Sequence, residues 1–233
     1  MCARFSLTAP PELLAAFFGL VGPIDLAPRY NIAPTQQTVV VLLSEGQRRL
    51  RASRFGLVPP WATDPRKGPP LINARAETLF SKPAFRGAAR ARRCLVPATG
   101  FYEWRAEDQR KQPILFRRPG SLPFAFAGIF ETWRGGRSQA GLFPTREEVH
   151  SFAIVTTAGN GLMAPVHDRM PVVVPPELFD RWLDPSTVSV DDLLVAPDDD
   201  AFTTTELTDR VNRVRSEGPE CWTARGAPGE PAA

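Results

Sequence analysis

Prolines set the first limit on this chain. Twenty-five of its 233 residues are proline, spread along the sequence rather than gathered in a linker. A proline inside a helix removes a hydrogen bond and clashes with the turn before it, at a cost of about 3 kcal/mol or more. That spacing argues against a long-helix bundle and for short elements joined by many turns. Runs rich in β-branched and aromatic residues lie between the prolines and read as strands: VVVLL at 39–43, RASRFGL at 51–57, QPILFRR at 112–118, PFAFAGIF at 123–130, FAIVTT at 152–157 and MPVVV at 170–174. Helical patterns fall at 10–19, 83–91, 176–183 and 189–195, the third opening on PPEL with proline in its first turn. Strands and helices do not alternate regularly, which speaks against a doubly wound parallel sheet. The expected fold class is α+β, a mainly antiparallel, curved or barrel-like sheet with a few covering helices. It is expected to form one domain over 1–224, and 225–233 (RGAPGEPAA) has the composition of a disordered tail. Five Trp and fifteen Phe supply an ample core.

Charge and cysteine usage exclude several classes. The net charge is +3, and of 28 basic residues only Lys67, Lys82 and Lys111 are lysines. Arginines cluster at Arg48, Arg49, Arg51 and Arg54 and at Arg86, Arg90, Arg92 and Arg93, each set reading as a solvated face. Three cysteines, odd in number and without CxxC spacing, give neither a disulfide framework nor a zinc site. No metal and no cofactor are expected. Cys94, inside CLVPA, reads as a buried core residue. LLAAFFGLVG at 13–22 reads as a short amphipathic helix, and no run approaches the roughly 18–20 apolar residues of a membrane span. The chain is expected to be a cytoplasmic monomer with no membrane partner.

Cys2 follows the initiator methionine directly. Small side chains at that position allow the methionine to be removed, which would leave a free α-amine and a thiol on adjacent carbons. Their ordinary pKa values are about 7.7–8.0 and about 8.5, so near neutral pH a useful fraction of the amine is unprotonated. A 1,2-aminothiol attacks an aldehyde with nitrogen and then closes a five-membered ring with sulfur. It also serves as an acyl-transfer nucleophile that uses its own amine as base.

Five polar islands sit in or beside apolar runs: CARF at 2–5, RYNIAP at 29–34, PPLINARAET at 69–78, GFYEW at 100–104 and HDRMP at 167–171. Asn31 and Asn73 have the residue type that caps turns. Alternation puts Glu103 on the face of Phe101, opposite Tyr102 and Trp104. A carboxylate inside an aromatic strand is either paired in the core or functional, and desolvation raises its pKa. His167 lies ahead of a strand, whereas His150 reads as part of a charged loop.

In this order MCxRF, RYNxAP, LINARxET, CLxPAxGFYEW and HDRMP resemble the SRAP family, whose name means SOS-response-associated peptidase. The resemblance spans residues 2–174. It implies the SRAP fold, around a curved, barrel-like sheet, and a covalent link from the N-terminal cysteine to abasic sites in single-stranded DNA. It further implies Cys2 as nucleophile, Asn73 as a polar group orienting it and the sugar, Glu103 as acid/base near the α-amine, and His167 as the group that helps open the deoxyribose ring. Arg4, Arg75 and Arg169 resemble the family's phosphate-contacting arginines. Asn31, Pro34 and Trp61 lie where the family shapes its DNA channel and wedge. Three positions depart from the pattern. Ala3 replaces a usual Gly, Thr99 a usual Asp, and TTAGN at 156–160 lacks an acidic residue.

Two other classes fit part of the sequence. An N-terminal-nucleophile hydrolase would be a self-processing cysteine peptidase served by Cys2 and Glu103, or a class II glutamine amidotransferase, whose glutamine-binding and oxyanion-hole motifs are not seen. A non-catalytic nucleic-acid-binding module would use the arginines alone, and would bind DNA normally as Cys2→Ser.

Overall fold

The computed structural model describes residues 2–108, 110–135 and 147–227. Its strands are β1 (Arg4–Leu7), β2 (Arg29–Ile32), β3 (Gln37–Ser44), β4 (Gln47–Phe55), β5 (Asn73–Arg75), β6 (Arg93–Ala98), β7 (Gly100–Glu107), β8 (Arg110–Arg117), β9 (Phe124–Arg134), β10 (Glu148–Ala158), β11 (Arg169–Pro171), β12 (Val173–Val174) and β13 (Thr203–Glu206). The α-helices are α1 (Pro11–Phe18), α2 (Pro83–Ala91) and α3 (Phe179–Leu183). Strands β10, β4, β3, β6 and β9 pair in that order, and β9 pairs back onto β10, so five strands close into a barrel. Only the β4–β10 seam within that ring is parallel. Closure removes the open edges that a sheet of this size would otherwise present. A second sheet runs β13-β8-β7-β1-β2. The α+β expectation holds.

Local chemistry explains the corners. Glu45 and Gly46 join β3 to β4 with φ of 52° and 72°. Two positive φ values make the hairpin turn that matches strand twist, and Gly46 adopts one without a Cβ penalty. At Gly128 on β9, an added Cβ would lie 2.7 Å from the Cys94 sulfur, so the β6–β9 pairing requires a bare backbone there.

The core is aromatic. Phe5 of β1 meets Phe55 and Phe126 edge-on, Phe55 stacks on Phe152, and Phe101 stacks on Phe116 at 4.8 Å. A smaller core covers the other face of the second sheet: Tyr102 and Leu115 pack with Leu207, Val211 and Cys221 from the segment after β13. Cys94 is fully buried, as its setting predicts.

Several expectations are corrected. The pattern at 189–195 yields only a 3-10 turn, Asp191–Leu193. That stretch is short and interspersed with β-branched Val188, Val190 and Val195, and a helix that short does not recover its nucleation cost. His150 lies in β10, its Nδ1 3.1 Å from the Thr132 hydroxyl, not in a loop. The arginine clusters are not simply solvated. Arg48 binds Asp180 and the Phe18 carbonyl. Arg93 is buried and donates to the carbonyls of Ala89, Arg90, Trp182, Asp184 and Thr187. Arg93→Ala should destabilise the fold by more than about 3 kcal/mol, because charged hydrogen bonds are worth about 1.5–3 kcal/mol each and several carbonyls lose a donor. Chemical denaturation measures this. Arg225, the first residue of the expected tail, is tied into the fold through its amide to Glu206 and its guanidinium to Glu107 and Gln112. Residues 228–233 lie outside the described residues.

Candidate functional site

Cys2 lies two residues before the start of β1 and is fully buried, its thiol donating weakly to the Arg4 carbonyl at 3.8 Å. Burial, and after it the negative charge of Glu103, pushes the thiol pKa far above its ordinary value, so at neutral pH the sulfur is protonated. Asn73 opens β5 and donates from Nδ2 to the Cys2 carbonyl at 3.2 Å. Its buried Oδ1 has no hydrogen-bond partner among the described residues. A buried acceptor left open beside a nucleophile is costly unless something arrives to use it.

Glu103 lies on β7. Pairing of Phe5 with Phe101 and of Arg4 with Tyr102 carries Glu103 onto the main-core face, while Tyr102 and Trp104 face the smaller core. The carboxyl is 4% exposed. Desolvation raises its pKa against the pull of nearby positive groups, His167 among them. His167 has Nδ1 2.7 Å from the Asp168 carboxylate and 2.9 Å from the Arg169 amide. Nδ1 serves one of these at a time. A neutral ring accepts from the amide and keeps its hydrogen on Nε2, and an imidazolium donates to Asp168.

Arg4, Glu103, Trp104, Lys111, His167 and Asn212 line an open cleft of about 500 Å³. Arg4 crosses it with its guanidinium already engaged. Nη1 donates to Asn31 Oδ1 at 2.6 Å and to the Val211 carbonyl at 3.0 Å, and the group lies 5.8 Å from the Trp104 ring centroid. Asn31 is itself buried, its Nδ2 donating to the carbonyls of Val211, Arg213 and Ser216. Glu217 accepts from the Tyr30 and Asn31 amides.

The β5–β10–β11 ladder brings the other two arginines alongside, pairing Arg75 with Thr156 and Ala158 with Arg169. Arg75 is exposed, and its guanidinium has no hydrogen bond or ion pair among the described residues. Arg169 is held bidentately by Glu77 and donates to the Thr156 carbonyl. Pro34 and Trp61 stand on separate loops and do not line the cleft. Trp61 is 59% exposed, on a loop that Trp133 fastens by donating to the Ala62 carbonyl.

The fold thus gathers Cys2, Arg4, Asn73, Glu103 and His167 from segments far apart in sequence. The family model for SOS response associated peptidase (SRAP) matches residues 1–214. The chain belongs to the SRAP family. Among SRAP relatives, it is 35% identical over 227 residues to the abasic site processing protein YoqW of Bacillus subtilis, covering 94% of this chain and 98% of that one. It is 34% identical over 191 residues to the abasic site processing protein YedK of Escherichia coli, covering 78% and 79%. A crystal structure of a Bacteroides thetaiotaomicron protein superposes with a TM-score of 0.81 at 26% identity, covering 96% of this chain and all of that one.

Two of the departures from the usual SRAP sequence have structural readings. Ala3 is not among the residues with positive φ, so the turn into β1 needs no glycine. Thr99 joins a hydroxyl cluster, its Oγ1 accepting from the Thr8 amide at 3.0 Å and lying 3.0 Å from the Thr8 hydroxyl. The missing acidic residue in TTAGN has no structural explanation.

Sequence reasoning missed Trp104, Lys111 and Asn212 in the cleft, and Glu77. Glu77 was visible inside the LINARAET island. Asn212 had no local signal, since it reaches the cleft only by long-range folding.

Proposed function

We propose that this SRAP protein captures abasic sites in single-stranded DNA as a thiazolidine on Cys2. What chiefly supports this is the grouping of a buried aminothiol residue with Asn73, Glu103 and His167, in a chain whose relatives are named abasic site processing proteins. Methionine removal frees the Cys2 amine. His167 gives a proton to the ring oxygen as the closed sugar opens to its aldehyde. The amine adds to C1′, and the carbinolamine loses water to give an imine, with Glu103 accepting and returning protons. Burial raises the carboxyl pKa, which favours its holding a proton between the two transfers. The thiol then adds across the C=N bond, its proton passing to nitrogen. Imine formation before ring closure also opens a route to β-elimination of the strand, a weak lyase activity. A protonated thiol fits this order, in which nitrogen attacks first and the sulfur, already on the same residue, closes the ring with a high effective molarity.

Strand binding rests on backbone charge. Arg75→Ala should lower the salt slope of single-strand affinity by about 0.7, one phosphate contact, and leave thermal stability unchanged. Arg4→Ala should lower both slope and melting temperature, because Asn31 Oδ1 loses its donor and the Val211 carbonyl keeps only that of Asn31. Titrations at several salt concentrations, with melts alongside, check the pair. Cutting the chain after Leu207 removes Val211, Asn212, Ser216 and Glu217, and should cost most of the single-strand affinity even where the barrel core still folds. The test of the whole reading is intact mass before and after incubation with abasic single-stranded DNA. A species at the sum of methionine-free protein and DNA, less one water, supports it, and an unchanged mass overturns it.

A further inference from the structure

Glu77 follows Arg75 by two residues, in the 3-10 turn that continues β5. Its two carboxylate oxygens take both terminal nitrogens of Arg169, with Nη2 to Oε2 at 2.9 Å. Arg169's side chain is only 13% exposed, whereas that of Glu77 is 55% exposed. The hydrogen bond from Arg169 foremost, with the charge of Arg75 adding to it, holds the Glu77 carboxyl below the usual carboxylate range. A single-charged, two-oxygen acceptor therefore sits on Arg169 and within the field of Arg75, the two arginines that the β5–β10–β11 ladder sets alongside each other. Its geometry on the guanidinium is the fork-to-fork pairing that a phosphate also makes. Arg169 Nε is buried with no hydrogen-bond partner among the described residues, a donor that the carboxylate does not use and that a phosphate, with more acceptor oxygens, is able to take.

We infer that Glu77 is a built-in stand-in for a DNA phosphate, occupying the Arg169 site in the free protein and displaced when a single strand binds. The inference rests on the proposed role of Arg75 as a backbone contact, extended to its ladder neighbour Arg169. Its effect is selective. Displacing a bidentate carboxylate weakens every non-covalent encounter with single strands by the same factor, so long residence falls to strands whose lesion reacts. Arg75, whose guanidinium lacks a bonded partner, makes the first contact, and Arg169 engages only as Glu77 swings out.

The test uses undamaged oligodeoxynucleotide and the full chain. Glu77→Gln keeps shape and removes charge. It should bind the strand about 5–10-fold more tightly at low salt with a similar salt slope, since Arg169 meets a phosphate in both complexes and only the cost of displacing Glu77 is removed. Glu77→Ala should do the same, so a folding defect in one variant does not decide the matter. Weaker binding in both variants would show that Glu77 serves only to position Arg169 and would overturn the inference. So would unchanged affinity. Arg75→Ala, run beside them, separates the levels. If it lowers the slope while the Glu77 variants fail to tighten binding, the displacement idea alone falls. If Arg75→Ala has no effect, the strand path falls, and the role of Glu77 with it.

Discussion

Cys2→Ala should form no heat- and detergent-resistant adduct with abasic single-stranded DNA, yet still yield one when borohydride is present. Alanine at position 2 also permits methionine removal, so the variant keeps a free amine and loses only the sulfur. The imine then forms and hydrolyses, and reduction traps it. A chain carrying an uncleavable extension before Cys2 has an amide nitrogen there, which is not basic and forms no imine. It should give neither product. The expected order is a stable adduct for wild type, a trappable adduct for Cys2→Ala and nothing for the extended chain, with the loss of stable product at least 100-fold in the last two. Gel shift after boiling, with and without reductant, reads all three, and mass spectrometry verifies the extension. Normal cross-linking by the extended chain would place the chemistry on another residue. Stable cross-linking by Cys2→Ala would remove the thiol from it.

Glu103→Gln should slow adduct formation by about 10²–10³-fold, the range expected when one positioned proton carrier is lost, while single-strand affinity stays within about twofold. The same substitution should stabilise the fold at neutral pH. Burial raises the Glu103 pKa in the folded chain above its unfolded value of about 4.3. A group with a raised folded pKa favours folding below the unfolded value, and that contribution is lost as pH rises through the folded pKa. Glutamine does not titrate, so the melting temperature of the variant should exceed that of wild type by a margin that opens as pH climbs from about 4 towards 7. Melts across that range, paired with single-turnover rates, check both halves. A margin that is constant with pH would mean that the buried carboxylate is fully compensated by its neighbours.

These expectations draw on features that were legible in the sequence to different degrees. Continuous apolar runs lie within strands of the barrel: 39–43 inside β3, 123–130 overlapping β9 and 152–157 inside β10. Period-two alternation placed Glu103 opposite Tyr102 and Trp104 correctly, because β7 is long enough for the pleat to show. Strands β1, β2 and β5 are three or four residues long and are built around Arg4, Asn31 and Asn73. Segments that short and polar carry no periodic signal, and only the islands as a set pointed to them. The engagement of Arg4 by Asn31 and Val211, and of Arg169 by Glu77, was beyond reach, since each joins residues 27 to 207 positions apart. The turn at Asp191–Leu193 failed as a helix for the opposite reason, a local pattern with too little length to propagate.

Asn31 is tied down by carbonyls 180 to 185 residues downstream. Ribosomes add about 5–20 residues per second, so roughly 10–40 s separate the appearance of that asparagine from the arrival of its partners. Early in synthesis, before β2 and β7 emerge to pair with β1, the amino end has no strand partner. In the folded chain Cys2 is fully buried, a setting that hinders an aminopeptidase far more than an open nascent end does. On the proposed chemistry, trimming of the initiator therefore belongs to translation rather than to maturation. Pulse-labelled nascent chains should already lack Met1, and folded protein purified with its methionine in place should keep it through prolonged treatment with methionine aminopeptidase.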